Sequence, residues 1–200
     1  MPGEPKTGRG RASRERIVER AAELFAERGI AATSVDEVIA ASGAGKGQFY
    51  HYFRGRDELA AAAVGFRCAQ VVAGLTEALG GVSSLAELER ALAGFAAGFE
   101  ESGMPGCPIG TLATEVAGRN EEARLQAAAG FDAWERLLAG ALERMRERGE
   151  LRADAEPAVL ATGLLAAIEG GMVLSQARRD MASLRIAVDA GITHLRTWAR

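Results

Sequence analysis

Residues 34–59 read SVDEVIAASGAGKGQFYHYFRGRDEL, and the second half of that stretch sets the problem. From Phe49 to Phe53 four of five side chains are Phe or Tyr, bracketed by Lys46, Arg54 and Arg56, in a chain whose aromatic content is only 6%. The flanking residues resolve it into helices. Ser34 with Glu37 three residues later forms a capping box, in which hydroxyl and carboxylate each satisfy a free backbone N–H of the first turn. Val35, Val38 and Ile39 give that helix an apolar face. SGAG, residues 42–45, is a turn with two glycines, and the aromatic stretch supports a further helix over about 46–52.

Upstream, Ile17, Val18, Ala21, Leu24 and Phe25 recur at helical spacing from Ser13 onward. Gly29 ends that helix, and Ile30 is placed to fold back on Phe25. Three short helices, the second and third joined by a tight glycine turn, describe a helix-turn-helix. The second helix of such a motif lies in the DNA major groove. Phe49 and Phe53 are four apart, share a helix face and are expected to pack inward. Tyr50, His51 and Tyr52 are then expected around the remaining surface, with Lys46 and Gln48 in the first turn, the part that reaches base edges. Rings are dense here because a very short helix must both anchor itself and grip phosphate.

Composition agrees with a helical protein. Ala, Leu, Glu and Arg dominate, strand-forming residues are sparse, and 48% hydrophobic content is enough for a core. No run approaches eighteen consecutive apolar residues, so no membrane span is expected, and the basic, Pro/Gly-rich N-terminus lacks the apolar run of a signal peptide. A cytoplasmic protein is the expectation. Two cysteines and two histidines make neither a disulfide framework nor a zinc spacing, and no cofactor or metal is expected. The net charge of −3 is unevenly spread: through Arg56 there are ten Lys/Arg against seven Asp/Glu, and the remainder is acidic. That asymmetry suits a small module facing a polyanion on a body that does not.

The organisation read from these patterns is a flexible basic arm over 1–12, a helix-turn-helix domain over 13–56 and an all-α body over 57–200. In the body, helices are predicted from about Asp57 to Leu79, 85 to 101, a short one ending near Ala117, then 120 to 148, 157 to 178 and 183 to 197. SLAE, residues 84–87, is a second capping box, and SGMPGCPIG, residues 102–110, is a break. Arg9 and Arg11 suit either a disordered tail or groove and phosphate contacts.

The run AAELFAERGIAATSVDEVIAASGAGKGQFYHYFRGRDEL, residues 21–59, resembles the tetracycline-repressor (TetR) family of bacterial regulators, whose usual run is close to FxxxGxxxTSVxxIAxxAGVSKGTLYHYFxSKExL. Phe25, Gly29, Thr33, Ser34, Val35, Gly43, Lys46, Gly47, Tyr50, His51, Tyr52 and Phe53 carry the match. GCPIGTLATE, residues 106–115, looks like the opening of the middle helices of an LmrA/YxaF-type ligand domain. Three departures stand out. Ala44-Gly45 and Gly55-Arg56 replace capping hydroxyls by glycine, a cost of only a few tenths of a kcal/mol. Gln48 replaces the usual Thr and can pair with adenine through two hydrogen bonds.

The resemblance implies an N-terminal DNA-binding domain and a C-terminal ligand-binding and dimerisation domain, about nine helices in all, and no enzyme activity. It implies a homodimer on a palindromic double-stranded operator, repression relieved by a small-molecule effector, and no membrane partner. DNA contacts are expected from Thr33, Ser34, Val35, Gly45, Lys46, Gln48, Tyr50, His51, Tyr52 and Arg56. The effector pocket is expected among Phe66, Phe95, Phe99, Met104, Cys107, Phe131, Trp134 and Met172. The dimer interface is expected on the last two helices, at Leu160, Gly163, Leu164, Ala167, Ile168, Leu184, Val188, Ile192 and Leu195. Glu115 suits either a polar anchor or a helix-end charge. Two alternatives stand beside this reading: the same fold sensing oxidants or electrophiles through Cys107, and an interaction module that no longer binds DNA.

Overall fold

Short polar side chains and glycines set most helix ends in this chain. The structure, a computed structural model, describes residues 5, 7–103 and 106–200. Among them nine helices form: α1 (Gly8–Arg28), α2 (Val35–Ser42), α3 (Lys46–Tyr52), α4 (Arg56–Leu79), α5 (Leu85–Glu101), α6 (Pro108–Val116), α7 (Glu121–Glu147), α8 (Pro157–Arg178) and α9 (Ala182–Arg196). The only bridge pairing among the described residues is Leu151 with Ala199. The all-α expectation and the helix bounds in the body agree with this within a few residues.

The chain separates into two compact units, Met1–Val71 with Pro108–Gly130, and Val72–Cys107 with Phe131–Arg200. Two of the three divisions fall inside α4 and α7, and the third falls just before α6. The first unit therefore contains α6, most of α4 and the opening turns of α7 as well as the helix-turn-helix.

Helix α1 starts earlier than the sequence suggested. Thr7 Oγ1 accepts from the Gly10 N–H at 3.1 Å and caps α1, so residues 8–12 are its first turn rather than part of a flexible arm. Met1–Glu4 and Lys6 lie outside the described residues. A threonine cap outweighs the poor helix propensity of two glycines here. Ile17, Ala21 and Phe25 of α1, Val38 of α2, Phe49 of α3 and Phe53 are each 3% exposed or less and form one core. The Phe49 and Phe53 rings lie 5.4 Å apart. Truncating either to alanine is expected to cost about 3–5 kcal/mol. On α7, Gly130 is needed for packing: a Cβ there would stand 2.8 Å from the Cys68 Sγ.

The second unit is organised by α8 and α9, which pack along their length. Leu160, Leu164, Ile168 and Met172 of α8 and Leu184, Val188, Ile192 and Leu195 of α9 are all 6% exposed or less within this one chain. Gly171 permits the approach, since a Cβ there would meet the Ala187 Cβ at 2.7 Å. Ser175 Oγ accepts from the Leu184 N–H at 3.0 Å, satisfying an orphan donor at the start of α9. Arg144 donates to the Val82 and Leu79 carbonyls at 2.8 and 3.0 Å, a cation closing the C-terminal end of α4. By length and composition α4 and α8 are apolar enough to cross a membrane, a property the run-length criterion missed. For α8 the cause is visible: it is apolar toward α9 and apolar on its exposed side as well.

Candidate nucleic-acid interface

The turn between α2 and α3 is built from caps. Ser34 Oγ accepts from the Glu37 N–H at 3.2 Å and Glu37 Oε2 accepts from the Ser34 N–H at 2.8 Å, so both arms of the capping box are closed. The backbone and hydroxyl of Ser34 hold the Glu37 carboxyl below the usual glutamate range. Gly43 sits at φ 65°, the left-handed conformation that lets α2 stop and the chain reverse. Gly45 caps α3 with extended backbone and no side-chain bond, as the replacement of Ser by glycine dictates.

Seven residues of α3 then divide cleanly. Phe49 and Tyr52 face inward at 0% and 8% exposure, while Lys46, Gly47, Gln48, Tyr50 and His51 are exposed. Tyr50 is 59% exposed although its ring stands edge-on to Phe49 at 5.2 Å, so it is held at the base and presented at the hydroxyl. Lys46 Nζ lies 3.0 Å from Asp36 Oδ1, with both side chains about 70% exposed. That hydrogen bond to Asp36 raises the Lys46 ammonium above the ordinary lysine range. Gln48 Nε2 donates to Ser13 Oγ on α1 at 2.6 Å. Arg14 of α1 stacks over the Phe53 ring at 5.2 Å.

Several expected DNA contacts are turned to other work. Thr33 is 1% exposed and its hydroxyl donates to the Gly29 carbonyl at 2.9 Å, bracing the loop after α1. The Ser34 hydroxyl donates to Glu37, and Val35 is half-buried. Tyr52 packs toward the first turn of α1, where a Cβ on Gly10 would be 3.5 Å from its hydroxyl. Arg56 donates into the fold, to the Ile30 carbonyl. Thr33 and Arg56 meet a backbone carbonyl, and Tyr52 an apolar gap, nearer by than DNA. Ser34, Gly45, Lys46, Gln48, Tyr50 and His51 remain at the surface.

Two anchors at the base of this unit went unread or half-read. Glu115 of α6 accepts from the Ala31 N–H at 2.7 Å. Asn120 donates to the Asp57 carbonyl at 2.8 Å and caps α7 by accepting from the Ala123 N–H at 2.9 Å. They border a cleft of about 160 Å³ that Ile30, Arg56, Asp57 and Arg119 also line.

In the second unit, Phe95, Phe99 and Trp134 come together, with ring centroids 5.0 Å apart for the two phenylalanines and 5.6 Å for Phe95 with Trp134. Phe131 is half-buried, and Met172 and Cys107 are buried. Met104 lies outside the described residues, and Phe66 belongs to the first unit. A groove of about 680 Å³ runs between α5 and α9, lined by Glu89, Ala96, Arg185, Ile192 and Arg196 and by none of the expected pocket residues. Of the expected dimer residues, Leu160, Leu164, Ile168, Leu184, Val188, Ile192 and Leu195 are buried by packing inside this one chain, Ala167 is half-buried and Gly163 is exposed. A stripe at four-residue spacing on α8 marked the α9 seam. The opposite side of α8 is the free one: Val159, Gly163, Ala166, Gly170, Val173 and Ala177 are exposed and alternate at spacings of four and three, a heptad seam.

Comparison with known proteins gives the same picture. Residues 17–63 match the bacterial regulatory proteins of the tetR family, and residues 84–190 match the LmrA/YxaF-like transcriptional regulator C-terminal domain. An HTH-type transcriptional regulator of Mycobacterium tuberculosis is 35% identical over 188 residues, covering 86% of this chain and 88% of that one. The HTH-type regulator YxaF of Bacillus subtilis is 32% identical over 180 residues, covering 88% and 92%. The crystal structure of a TetR-family regulator from Cytophaga hutchinsonii superposes with a TM-score of 0.84 over 98% of both chains at 19% identity, a likeness of fold.

Proposed function

The chain belongs to the tetR family of helix-turn-helix transcriptional regulators, and from that premise we propose that it is a homodimeric, effector-released repressor acting in the cytoplasm. The exposed Lys46-Gly47-Gln48 turn with Tyr50 and His51 on α3 carries this reading. It places a cation, an amide and a phenol on the outer side of the recognition helix over an aromatic base that fixes their positions. Lys46 and the Tyr50 hydroxyl suit phosphate oxygens, which position the protein without reading sequence, and Gln48 suits a base edge. A second copy is needed because two half-sites of an inverted repeat require two recognition helices.

The free side of α8 supports the dimer. Val159 and Val173 are 62% and 61% exposed, and Ile186 of α9 is 67% exposed. Gly163 and Gly170 have no neighbour near the place of a Cβ, so nothing inside the chain requires glycine at either position. Small residues at a heptad seam let a partner helix approach closely. For the effector, the Phe95–Phe99–Trp134 cluster offers aromatic lining. Trp134 Nε1 and Glu169 Oε1 are both buried without a hydrogen-bond partner, a cost that a ligand bringing an acceptor and a donor would offset. Repression follows when the occupied operator overlaps a promoter, and release follows when the effector binds better to the arrangement that does not fit DNA. Cys107 is 4% exposed and its thiol donates to Glu169, which suits packing better than a redox sensor.

Selection of duplexes from a random-sequence pool by the purified chain tests this. An inverted repeat bound by two chains is expected. Enrichment of no sequence, or of an unrepeated one bound by a single chain, would refute it.

A further inference from the structure

Gln48 is not a freely rotating side chain at the start of α3. Its Nε2 donates to Ser13 Oγ at 2.6 Å across 35 positions of sequence. Ser13 is itself 3% exposed, so it is held by the packing of α1. Just before Gln48, at the start of α3, Gly45 and Gly47 have no heavy atom near the place of a Cβ, which leaves the approach to its amide open from that end.

A glutamine amide has two N–H hydrogens and one carbonyl oxygen. With one hydrogen committed to Ser13, one donor and one acceptor remain. In the major groove adenine presents an acceptor, N7, beside a donor, the N6 amino group, whereas guanine presents two acceptors, N7 and O6. The remaining pair on Gln48 complements adenine. Guanine would need both amide hydrogens, and would otherwise set the Gln48 carbonyl against its own O6. The bond to Ser13 also fixes the plane of the amide and the sense of its oxygen and nitrogen.

We propose that Ser13 is a positioning residue for base selection: by taking one of the two amide hydrogens of Gln48, it makes Gln48 accept adenine and reject guanine at the base pair it faces. This rests on the reading that the exposed side of α3 enters the major groove. Nothing in the spacing of Ser13 within α1 distinguishes it from an ordinary small core residue; only the bond does.

The test uses a duplex selected by the wild-type protein and single-base variants of it, compared by competition binding. At one position in each half-site, adenine should be favoured over guanine by about tenfold or more. Ser13→Ala should cut that ratio severalfold and leave preferences at other positions unchanged, while Ser13→Thr, which keeps the hydroxyl, restores it. Gln48→Ala should remove the ratio, and adding Ser13→Ala to it should change nothing more. Independently of any variant, replacing that adenine by 7-deazaadenine or by purine should each weaken wild-type binding, since each removes one partner. An unchanged ratio in Ser13→Ala, or an equal loss at every position, overturns the proposal. Specific binding that is indifferent to Gln48→Ala instead shows that Gln48 reads no base. Absence of any specific binding rejects the regulator reading beneath both.

Discussion

Glu115, in the last turn of α6, accepts a hydrogen bond from the Ala31 N–H at 2.7 Å, so the loop that leads into the helix-turn-helix is held by a carboxylate 84 positions further along the chain. The loop is shaped for it. Gly29 has φ 84°, and a Cβ there would stand 3.2 Å from Glu115 Oε1. Glu115→Ala leaves the Ala31 N–H without its partner and is expected to destabilise the protein by about 1 kcal/mol, with Glu115→Gln, which keeps an acceptor, costing less. Gly29→Ala, strained by both backbone and neighbour, should cost more than about 1 kcal/mol. Urea unfolding followed by circular dichroism measures all three.

Tyr50 and Tyr52 are two residues apart and should behave as opposites. Tyr50→Ala removes an exposed ring, so stability should change by no more than about 0.5 kcal/mol while operator binding is lost. Tyr52→Ala opens the packing between α3 and α1 and should cost about 3 kcal/mol. Melting curves together with binding titrations separate the two.

The two sides of α8 give a second such pair. Leu164, 3% exposed, faces α9, and Leu164→Ala should destabilise the fold by about 2–5 kcal/mol. Val173→Glu, on the free side, should leave the fold of one chain intact and split the dimer, because the partner helix would have to bury a charge. Sedimentation velocity reads the association state, and loss of operator binding should accompany it.

Glu169 gives a pH prediction. Burial raises its pKa above the ordinary glutamate value of 4.5, against a smaller opposing effect of the Cys107 hydrogen bond. A carboxyl that binds its proton more tightly when folded contributes stability that is fully present below the unfolded value and lost as pH rises through the folded one. Glu169→Gln should therefore match the wild type near pH 4 and exceed it in melting temperature at pH 7. A constant difference across that range would contradict the buried carboxylate.

The fold was largely legible because local signals agreed with one another. The Ser34–Glu37 box, the glycines at 29 and 43 and the inward pair Phe49 and Phe53 are short-range features, and the helices they predict are the ones found. What sequence could not reveal was competition for side chains from distant groups. Thr33 and Arg56 were expected at the DNA, yet a carbonyl within reach claims each of them. Ser13 and Glu115 act through partners 35 and 84 positions away, for which no spacing rule exists. The apolar stripe on α8 is a related case: α8 is apolar on two sides, and periodicity alone does not say which side meets α9.

In the proposed function, α3 grips DNA through the exposed Lys46–Tyr50 surface of a two-chain regulator. Fluorescence anisotropy of the wild type on its selected inverted-repeat duplex, across a salt series, tests it most directly. Two chains per duplex are expected, with log K falling linearly with log salt at about 0.9 per phosphate contact. Lys46→Ala should lower that slope by about one per chain, and Tyr50→Ala should abolish binding. Binding that is absent or insensitive to salt while the dimer stays intact would contradict the account, favour a module that no longer binds DNA, and point to the glycine caps Gly45 and Gly55.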